Sequence, residues 1–240
     1  MTMGKLLYFI WKNEDCRSKG IRLATPVPIV RPEERVKHVE IPGRSGDLTQ
    51  LEGENIFNSY IQTASIMVPG WYNVRDVYSW LRGSGFVTFH GEPDRRQSAR
   101  IIGAITLNKQ SHNLDWWVGE VQFYCQPLKE LLTEPSVTIT TSGSTVQNMG
   151  DVACKPRIVA TASATTMTII VGGKTLTITD LTVGDDYIID SAIMDILNDD
   201  STVILTASSS GEFPVFAPGV NTVTGSGWSS LVIERRERFL

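Results

Sequence analysis

The sequence predicts a mainly β protein with one helix, arranged as two domains. Short runs of alternating apolar and polar residues, separated by Gly, Pro, Asn and Asp, recur along most of the chain. Only one segment has the period of an amphipathic helix, and the composition changes near residue 132. The chain has 240 residues and 41% hydrophobic content, which is enough for a core in each of two domains. We expect domains over residues 1–132 and 133–240.

The first domain begins with a short apolar strand, LLYFIW, and continues as extended chain. The next segment, GIRLATPVPIVRPEE, contains three prolines, each of which fixes its own φ and biases the preceding residue away from helix. The runs RVKHVEI and NIFNSYIQTASIMV are rich in β-branched and aromatic residues and predict further strands.

The segment NVRDVYSWLRGSG predicts the single helix, near residues 73–82. Its apolar residues between Val74 and Leu81, Tyr78 among them, recur at i, i+3, i+4 and i+7, which places them on one helical face. Asn73 has the side chain of an N-cap, and Gly83 can adopt the left-handed conformation that ends a helix.

Three strands follow, in FVTFHGEPDRR, ARIIGAITLNKQ and DWWVGEVQFYCQPL. The last run carries apolar residues on both faces, so its pattern does not decide which face lies inside the domain. Val121 and Phe123 compete with Val118 and Tyr124 for the inner face.

The second half is rich in Thr, Ser, Val, Gly and Ile, with short β runs about ten residues apart. This spacing is typical of an antiparallel β-sandwich. The stretch VGGK, which contains Gly172 and Gly173, lies between two β-branched runs and predicts a tight hairpin. Pro127 and Pro135 interrupt strand pairing at the expected boundary, near residues 130–136.

Charge and cysteine content exclude several classes of protein. A net charge of −4 argues against broad nucleic-acid binding, which needs a basic face. The N-terminal apolar run is too short for a signal peptide, and no run approaches the roughly 20 residues that span a bilayer. The three cysteines are far apart in sequence, which predicts free thiols in a reducing compartment.

The loop in VEIPGRSGDLTQL is the first candidate for a binding site. A phosphate-binding loop needs Gly-Lys-Ser/Thr leading into a helix, whereas here Gly46 is followed by Asp47 and a β run. The glycines Gly43 and Gly46 instead predict a strand–turn–strand connection that presents Arg44, Ser45 and Asp47.

Metal and catalytic motifs have no local support in the sequence. The acidic pairs Asp185-Asp186 and Asp199-Asp200 lack the alternating oxygens of a calcium loop and fit turns better. The histidines are isolated, and no nucleophile elbow occurs. We therefore predict no catalytic residue, metal site or cofactor.

The aromatic residues leave one alternative function open. Asn221 and Trp228 could form a carbohydrate-binding surface on the second domain if both side chains are exposed. Packing in a core or an interface is the other explanation of the tryptophans, and for Trp116 and Trp117, which lie in a predicted strand, it is the favoured one. The terminal ERRERF fits either a basic patch or a charged strand edge that prevents unwanted pairing.

Several motifs resemble a known family in their order and spacing. In the first half these are IPGRSGDL, VRDVYSWL and FVTFHGEPDRRQSARIIG, and in the second half NMGDVACKPRIVA, YIIDSA, GEFPVFAPGVNTVTGSG and VIERRERF. Together they resemble the distal tail proteins of long-tailed bacteriophages with flexible tails. One departure is Arg95-Arg96-Gln97, where such proteins are expected to carry aromatic residues.

The resemblance implies an N-terminal split β-barrel with a helix, which assembles into a hexameric ring, and a C-terminal galectin-like β-sandwich. It implies a structural hub that joins the tail tube protein to tail-tip or tail-associated proteins and to receptor-binding proteins. DNA would pass through the ring in transit only. The protein would be made in the bacterial host cytoplasm and reside in the virion, at the tail tip, with no membrane partner. The loop at residues 43–47 would then be a candidate subunit interface.

Overall fold

Strands make up most of the structure, as the sequence predicts. The computed structural model describes residues 7–51, 53, 55–110, 115–198 and 208–240. Within these residues the single α-helix is α1 (Val74–Trp80). Contacts divide the chain into a first unit, Met1–Leu132 with Leu240, and a second unit, Thr133–Phe239.

The first unit contains ten strands, a 3-10 helix and α1. The strands are β1 (Phe9–Trp11), β2 (Glu14–Asp15), β3 (Arg22–Leu23), β4 (Val36–Glu40), β5 (Asp47–Leu51), β6 (Tyr60–Pro69), β7 (Ser84–Phe89), β8 (Arg95–Ile102), β9 (Leu107–Gln110) and β10 (Trp116–Leu131).

Seven of these strands form an antiparallel sheet in the order β2-β1-β7-β8-β10-β6-β3, and β9 pairs with the start of β10. The two ends of this order, β2 and β3, are joined only by the 3-10 helix Cys16–Lys19 and two flanking residues. A flat seven-stranded sheet would separate its edges by about 29 Å. Four residues of 3-10 helix rise only about 8 Å. The sheet must therefore curl into a split barrel.

The barrel encloses a core of aromatic side chains. The Phe123 ring makes edge contacts with Phe9, Trp11 and Phe89, at centroid distances of 5.4, 5.5 and 5.6 Å. This core settles the question that the pattern of β10 left open, because Val121 and Phe123 point inward. Tyr124 points outward and is exposed.

The helix begins as predicted, with the Asn73 side chain accepting a hydrogen bond from the Arg75 N–H at 3.1 Å. Its inner face buries Val77 and Leu81. The periodicity also predicts Tyr78 on that face, but this side chain is exposed, because the seven-residue helix buries only a narrow stripe.

The second unit contains two five-stranded sheets and a short terminal strand. Their orders are β11-β20-β13-β16-β17 and β12-β19-β14-β15-β18. The strands are β11 (Ser136–Ile139), β12 (Ser144–Asn148), β13 (Arg157–Ala162), β14 (Met167–Val171), β15 (Lys174–Ile178), β16 (Asp186–Asp190), β17 (Asp195–Asn198), β18 (Ser209–Gly211), β19 (Gly219–Ser226), β20 (Trp228–Glu234) and β21 (Arg238–Phe239).

The two sheets form an antiparallel sandwich, so the predicted fold class is confirmed. Strand β13 alternates in burial along its whole length, which is the pattern of a strand with one face on a core. The predicted VGGK hairpin joins β14 to β15, and Gly172 and Gly173 have φ of 57° and 79°. Positive φ at both central residues is the requirement of a type I′ turn.

Candidate functional site

The hairpin β4–β5 is the least covered element of the first unit. In the described part of the chain its strands pair only with each other, with Val36 opposite Leu51 and Glu40 opposite Asp47. Every residue of β5 is exposed. A two-stranded hairpin is at best marginally stable alone in water, so the pairing of these two strands contributes little stability by itself.

The base of the hairpin is anchored firmly. Arg35 N–H donates to the Ile56 carbonyl, and Asn58 N–H donates to the Glu33 carbonyl, both at 2.8 Å. Phe57 next to them is buried. The preceding proline-bearing segment is held by Gln62, whose amide donates to the Pro28 carbonyl at 2.9 Å. The hairpin therefore has a fixed point of departure from the barrel.

The loop at the hairpin tip is a turn, as the sequence predicts. Arg44 N–H donates to the Ile41 carbonyl at 3.1 Å, and Gly43 and Gly46 have φ of 81° and 82°. All residues from Gly43 to Asp47 are exposed, Ser45 among them. The role of this loop in a subunit interface stays a prediction.

Charge on one face of the hairpin is unbalanced. Because directly opposite residues share a face, His38, Glu40, Asp47 and Thr49 lie on the same side. Glu40 and Asp47 are direct cross-strand partners, and like charges in that arrangement destabilise a sheet. His38 lies on this face with its Nδ1 3.8 Å from an Asp47 carboxylate oxygen, and Arg44 of the loop lines a surface cavity together with Glu40 and Asp47.

The predicted carbohydrate-binding residues do not form a surface platform. Trp228 is only 8% exposed and packs in the sandwich core. Asn221 is 7% exposed, and its side chain closes a turn by accepting from Ala217 N–H at 2.9 Å and donating to the Ala217 and Gly219 carbonyls. The structure corrects this expectation, because both side chains serve packing and turn formation.

Exposed aromatic rings belong to the first unit. The second unit has five aromatic residues, all within its described part, and each is buried or half-buried. Trp71, by contrast, is 80% exposed in the turn before α1, with its ring 6.0 Å from that of Tyr72.

The cysteine thiols are free and buried, as predicted. Burial raises the pKa of Cys16 to about 11 and those of Cys125 and Cys154 to about 12. Since the thiolate is the reactive form, these side chains are poor nucleophiles and poor metal ligands at neutral pH.

The described residues contain no group of three or more His, Cys, Asp or Glu side chains that could hold a metal ion. Asp186 accepts a hydrogen bond from the Thr161 hydroxyl at 2.6 Å, which fits a structural role. Asp199, Asp200 and His112 lie outside the described residues.

The barrel contains a buried polar cluster that the sequence did not predict. Lys129 is 5% exposed and forms an ion pair with Glu92 at 2.7 Å. Tyr60 donates to Gln97 at 2.9 Å, and Gln97 donates to the Cys125 sulfur at 3.0 Å. Tyr60, Glu92, Gln97 and Lys129 line a cavity of about 20 Å³, which is enough for a single water molecule. The polar residue at position 97, where the resemblance expects an aromatic ring, is thus part of an internal network.

Arg235 and Arg236 of the terminal ERRERF segment form internal ion pairs with Glu237 and Asp190, so they do not form an exposed basic patch. The Arg236 guanidinium donates two hydrogen bonds to Asp190, at 2.7 and 2.8 Å. Burial alone would raise the pKa of Asp190, but these bonds and that from Ala192 N–H outweigh it and lower the pKa. Glu237 is buried and accepts from Met149 N–H at 2.8 Å.

Comparison with solved structures identifies the fold across both units. The chain superposes on the Dit protein (gp 19.1) of SPP1 with a TM-score of 0.75, over 98% of this chain and 100% of that one. The identity is 19%, so the comparison establishes the fold. The SPP1 protein is described as a paradigm of the hub adsorption apparatus in phages that infect Gram-positive bacteria.

The chain shares the Dit fold. No family model and no curated protein sequence matches it. Within the described residues, no helix is both long and apolar enough to cross a membrane.

Proposed function

We propose that this protein is a distal tail hub, a structural virion protein that forms a ring at the tip of a phage tail. The observation that carries the proposal is the superposition on SPP1 Dit over both units and nearly the whole length of each chain. A shared fold alone does not define a function. The motifs that resemble distal tail proteins, from IPGRSGDL to VIERRERF, supply independent support from the sequence.

The first unit is the ring-forming part in this proposal. It presents an exposed hairpin whose base is anchored on the barrel, and exposed apolar residues both on the hairpin and on the barrel. A head-to-tail contact that repeats by a constant rotation closes into a ring. The resemblance implies six copies, with a lumen through which DNA passes only in transit.

The remaining partners follow from the same proposal. One side of the ring would bind the tail tube protein, and the other side would bind tail-tip or tail-associated proteins, with receptor-binding proteins attached further out. The protein would assemble in the host cytoplasm and remain in the virion. We propose no catalytic role.

A carbohydrate-binding function for the second unit finds no support in its aromatic residues, none of which is exposed. Sugar rings are held by exposed aromatic platforms beside convergent polar groups. A glycan array with bacterial wall glycans should therefore give no signal.

Native mass spectrometry and negative-stain microscopy of the purified chain test the hub proposal. We expect rings of uniform size, with a fraction that increases with protein concentration. A chain that stays monomeric at all concentrations and does not bind purified tail tube or tail-tip proteins would refute the proposed function.

A further inference from the structure

One face of the barrel sheet exposes a row of side chains that crosses four strands. Tyr124 of β10 lies directly opposite Ile61 of β6 on one side and Arg100 of β8 on the other. Arg100 lies opposite Ser84 of β7. All four residues point away from the core, because their neighbours along each strand are buried or half-buried.

Phe86 lies on the same face, two residues along β7 from Ser84. We call Ile61, Phe86, Arg100 and Tyr124 the sheet patch. Ile61 is 52% exposed, Phe86 40% and Tyr124 41%. Large apolar side chains that lie together at the surface mark interaction sites more often than ordinary solvated faces.

The composition of the sheet patch is that of a protein interface. Aromatic residues and arginine are the residue types most enriched at such interfaces. Arg96, beside the patch, lies 4.3 Å over the Phe86 ring and is already paired with Glu130 at 3.0 Å. Arg100 is exposed and forms no ion pair with any described residue, so its charge is available to a partner.

The hairpin β4–β5 carries the complementary features. Its charged face places Glu40 and Asp47 opposite each other near the tip, and Val36 opposite Leu51 at the other end. The hairpin lysine, Lys37, lies on the other face, opposite Gln50. An arginine from outside would relieve the repulsion between the two carboxylates and would form hydrogen bonds to both.

We propose that the sheet patch binds the β4–β5 hairpin of a second copy of this chain, with Arg100 between Glu40 and Asp47 and the apolar patch residues against Val36 and Leu51. The inference rests on the proposed self-association and names the surface through which it occurs. The contact is head-to-tail, since hairpin and patch are different surfaces of one chain, and it repeats from copy to copy.

The dimensions of the two surfaces agree. The row from Ser84 to Ile61 crosses three strand spacings, or about 14 Å. The five residues of each hairpin strand extend about 17 Å. A hairpin placed along the row therefore covers the sheet patch without reaching the edges of the barrel.

Charge exchange tests the ionic part of this contact. We expect Arg100→Glu alone, and Glu40→Lys with Asp47→Lys, each to lower the ring fraction at least about tenfold at low salt. The triple variant restores opposite charges and should recover rings. Arg75→Glu on the exposed face of α1 and Gln50→Lys on the other hairpin face are the matched controls and should leave rings unchanged.

Cysteine cross-linking tests the position of the hairpin. Thr49→Cys lies on the charged hairpin face, and Ser98→Cys lies on the patch face of β8, opposite Phe86. Mixing the two variants under oxidising conditions should give a disulfide-linked dimer, whereas Gln50→Cys mixed with Ser98→Cys should not. The native thiols are buried and contribute little background.

The outcomes separate the inference from the proposed function. If the wild-type chain forms rings, but Arg100→Glu also forms them and no cross-link appears, the sheet patch is not the receiving surface and the hub proposal stands. If rings form without the cross-link while Arg100→Glu loses binding to a tail partner, the occupant is that partner and the inference is wrong. A wild-type chain that forms no ring at any concentration refutes the inference, and it refutes the proposed function as well if the chain also binds no tail tube or tail-tip protein.

Discussion

Both units are built from strands of alternating burial, but they differ in where they place their large aromatic side chains. The second unit is a closed sandwich that buries or half-buries all five of its aromatic residues. The first unit also surrounds an aromatic core, yet it exposes Trp71, Tyr124 and Phe86 and extends a hairpin beyond the barrel. Alternation along strands produces a core in both units. Only in the first do large aromatic side chains also occupy outward positions, which is how an association surface differs from a solvated one.

Removing the β4–β5 hairpin should have the largest effect, because it should abolish assembly while both units stay folded. Replacement of residues 36–51 by a short Gly-Ser linker should abolish rings, because the proposed contact loses one of its two surfaces. The barrel should remain folded, since the hairpin strands contribute no buried residue to it. Native mass spectrometry reports assembly, and circular dichroism reports folding. Rings that persist without the hairpin would place the interface elsewhere in the first unit.

Truncation of the buried Trp228 should destabilise the protein far more than truncation of the exposed Trp71. Trp228→Ala should lower the free energy of unfolding by about 3–5 kcal/mol, because it leaves a cavity in the sandwich core. Trp71→Ala should change it by less than about 0.5 kcal/mol, because that ring is mostly in water. Urea denaturation measures both. A large loss for Trp71→Ala would show that the exposed ring supports the barrel itself.

Two glycines distinguish the crowded sandwich from the open hairpin loop. A Cβ at Gly225, where φ is 147°, would lie 1.9 Å from the Thr168 carbonyl oxygen, so Gly225→Ala should cost about 3 kcal/mol. A Cβ at Gly43 meets nothing within 4 Å, so Gly43→Ala should cost only about 1 kcal/mol, for its positive φ. Thermal unfolding compares the variants, and equal losses would contradict the crowding argument.

The Asp190–Arg236 pair should make the stability of the second unit depend slightly on pH in the acidic range. The pKa of Asp190 is lowered in the folded state, so its carboxylate stabilises the fold above its unfolded value of about 3.9, and this stabilisation is lost as pH falls through the lower folded value. Asp190→Asn should cost about 2 kcal/mol at pH 7 and progressively less below pH 4.

Denaturation measured from pH 7 to pH 2 tests this expectation. Asp185→Asn, in an exposed turn, is the control and should stay within about 0.5 kcal/mol of the wild type at pH 7. A cost for Asp190→Asn that does not change with pH would mean that the carboxylate charge contributes nothing.

Local signals are enough for the features that depend on neighbouring residues. Asn73 caps the helix, and Gly172-Gly173 form the hairpin turn, because both roles are fixed by the chemistry of a few adjacent positions. The mainly β fold class also follows from the short alternating runs, and the observed sheets confirm it.

Features that depend on distant partners could not be predicted in the same way. Asp190 and Arg236 are separated by 46 residues. Lys129, which pairs with Glu92, follows a shift in the register between β10 and β8. The sequence leaves Trp228 as a surface candidate, because nothing near it says which side of β20 faces the second sheet. The sheet patch likewise becomes visible only when the register places residues of four strands in one row.

The closure of the barrel sets an order on folding. Strand β1 pairs with β7, so Phe9 can pair only after Phe89 has been synthesised. Strand β3 pairs with β6, so Leu23 can pair only after Ile66 has been synthesised. Strand β10, which lies between β8 and β6, is made later still. On the ribosome, the first strands therefore emerge long before their partners exist, and contacts this distant in sequence form slowly. The N-terminal segment is synthesised first, yet it can pair in the sheet only after β6 and β7 have been made.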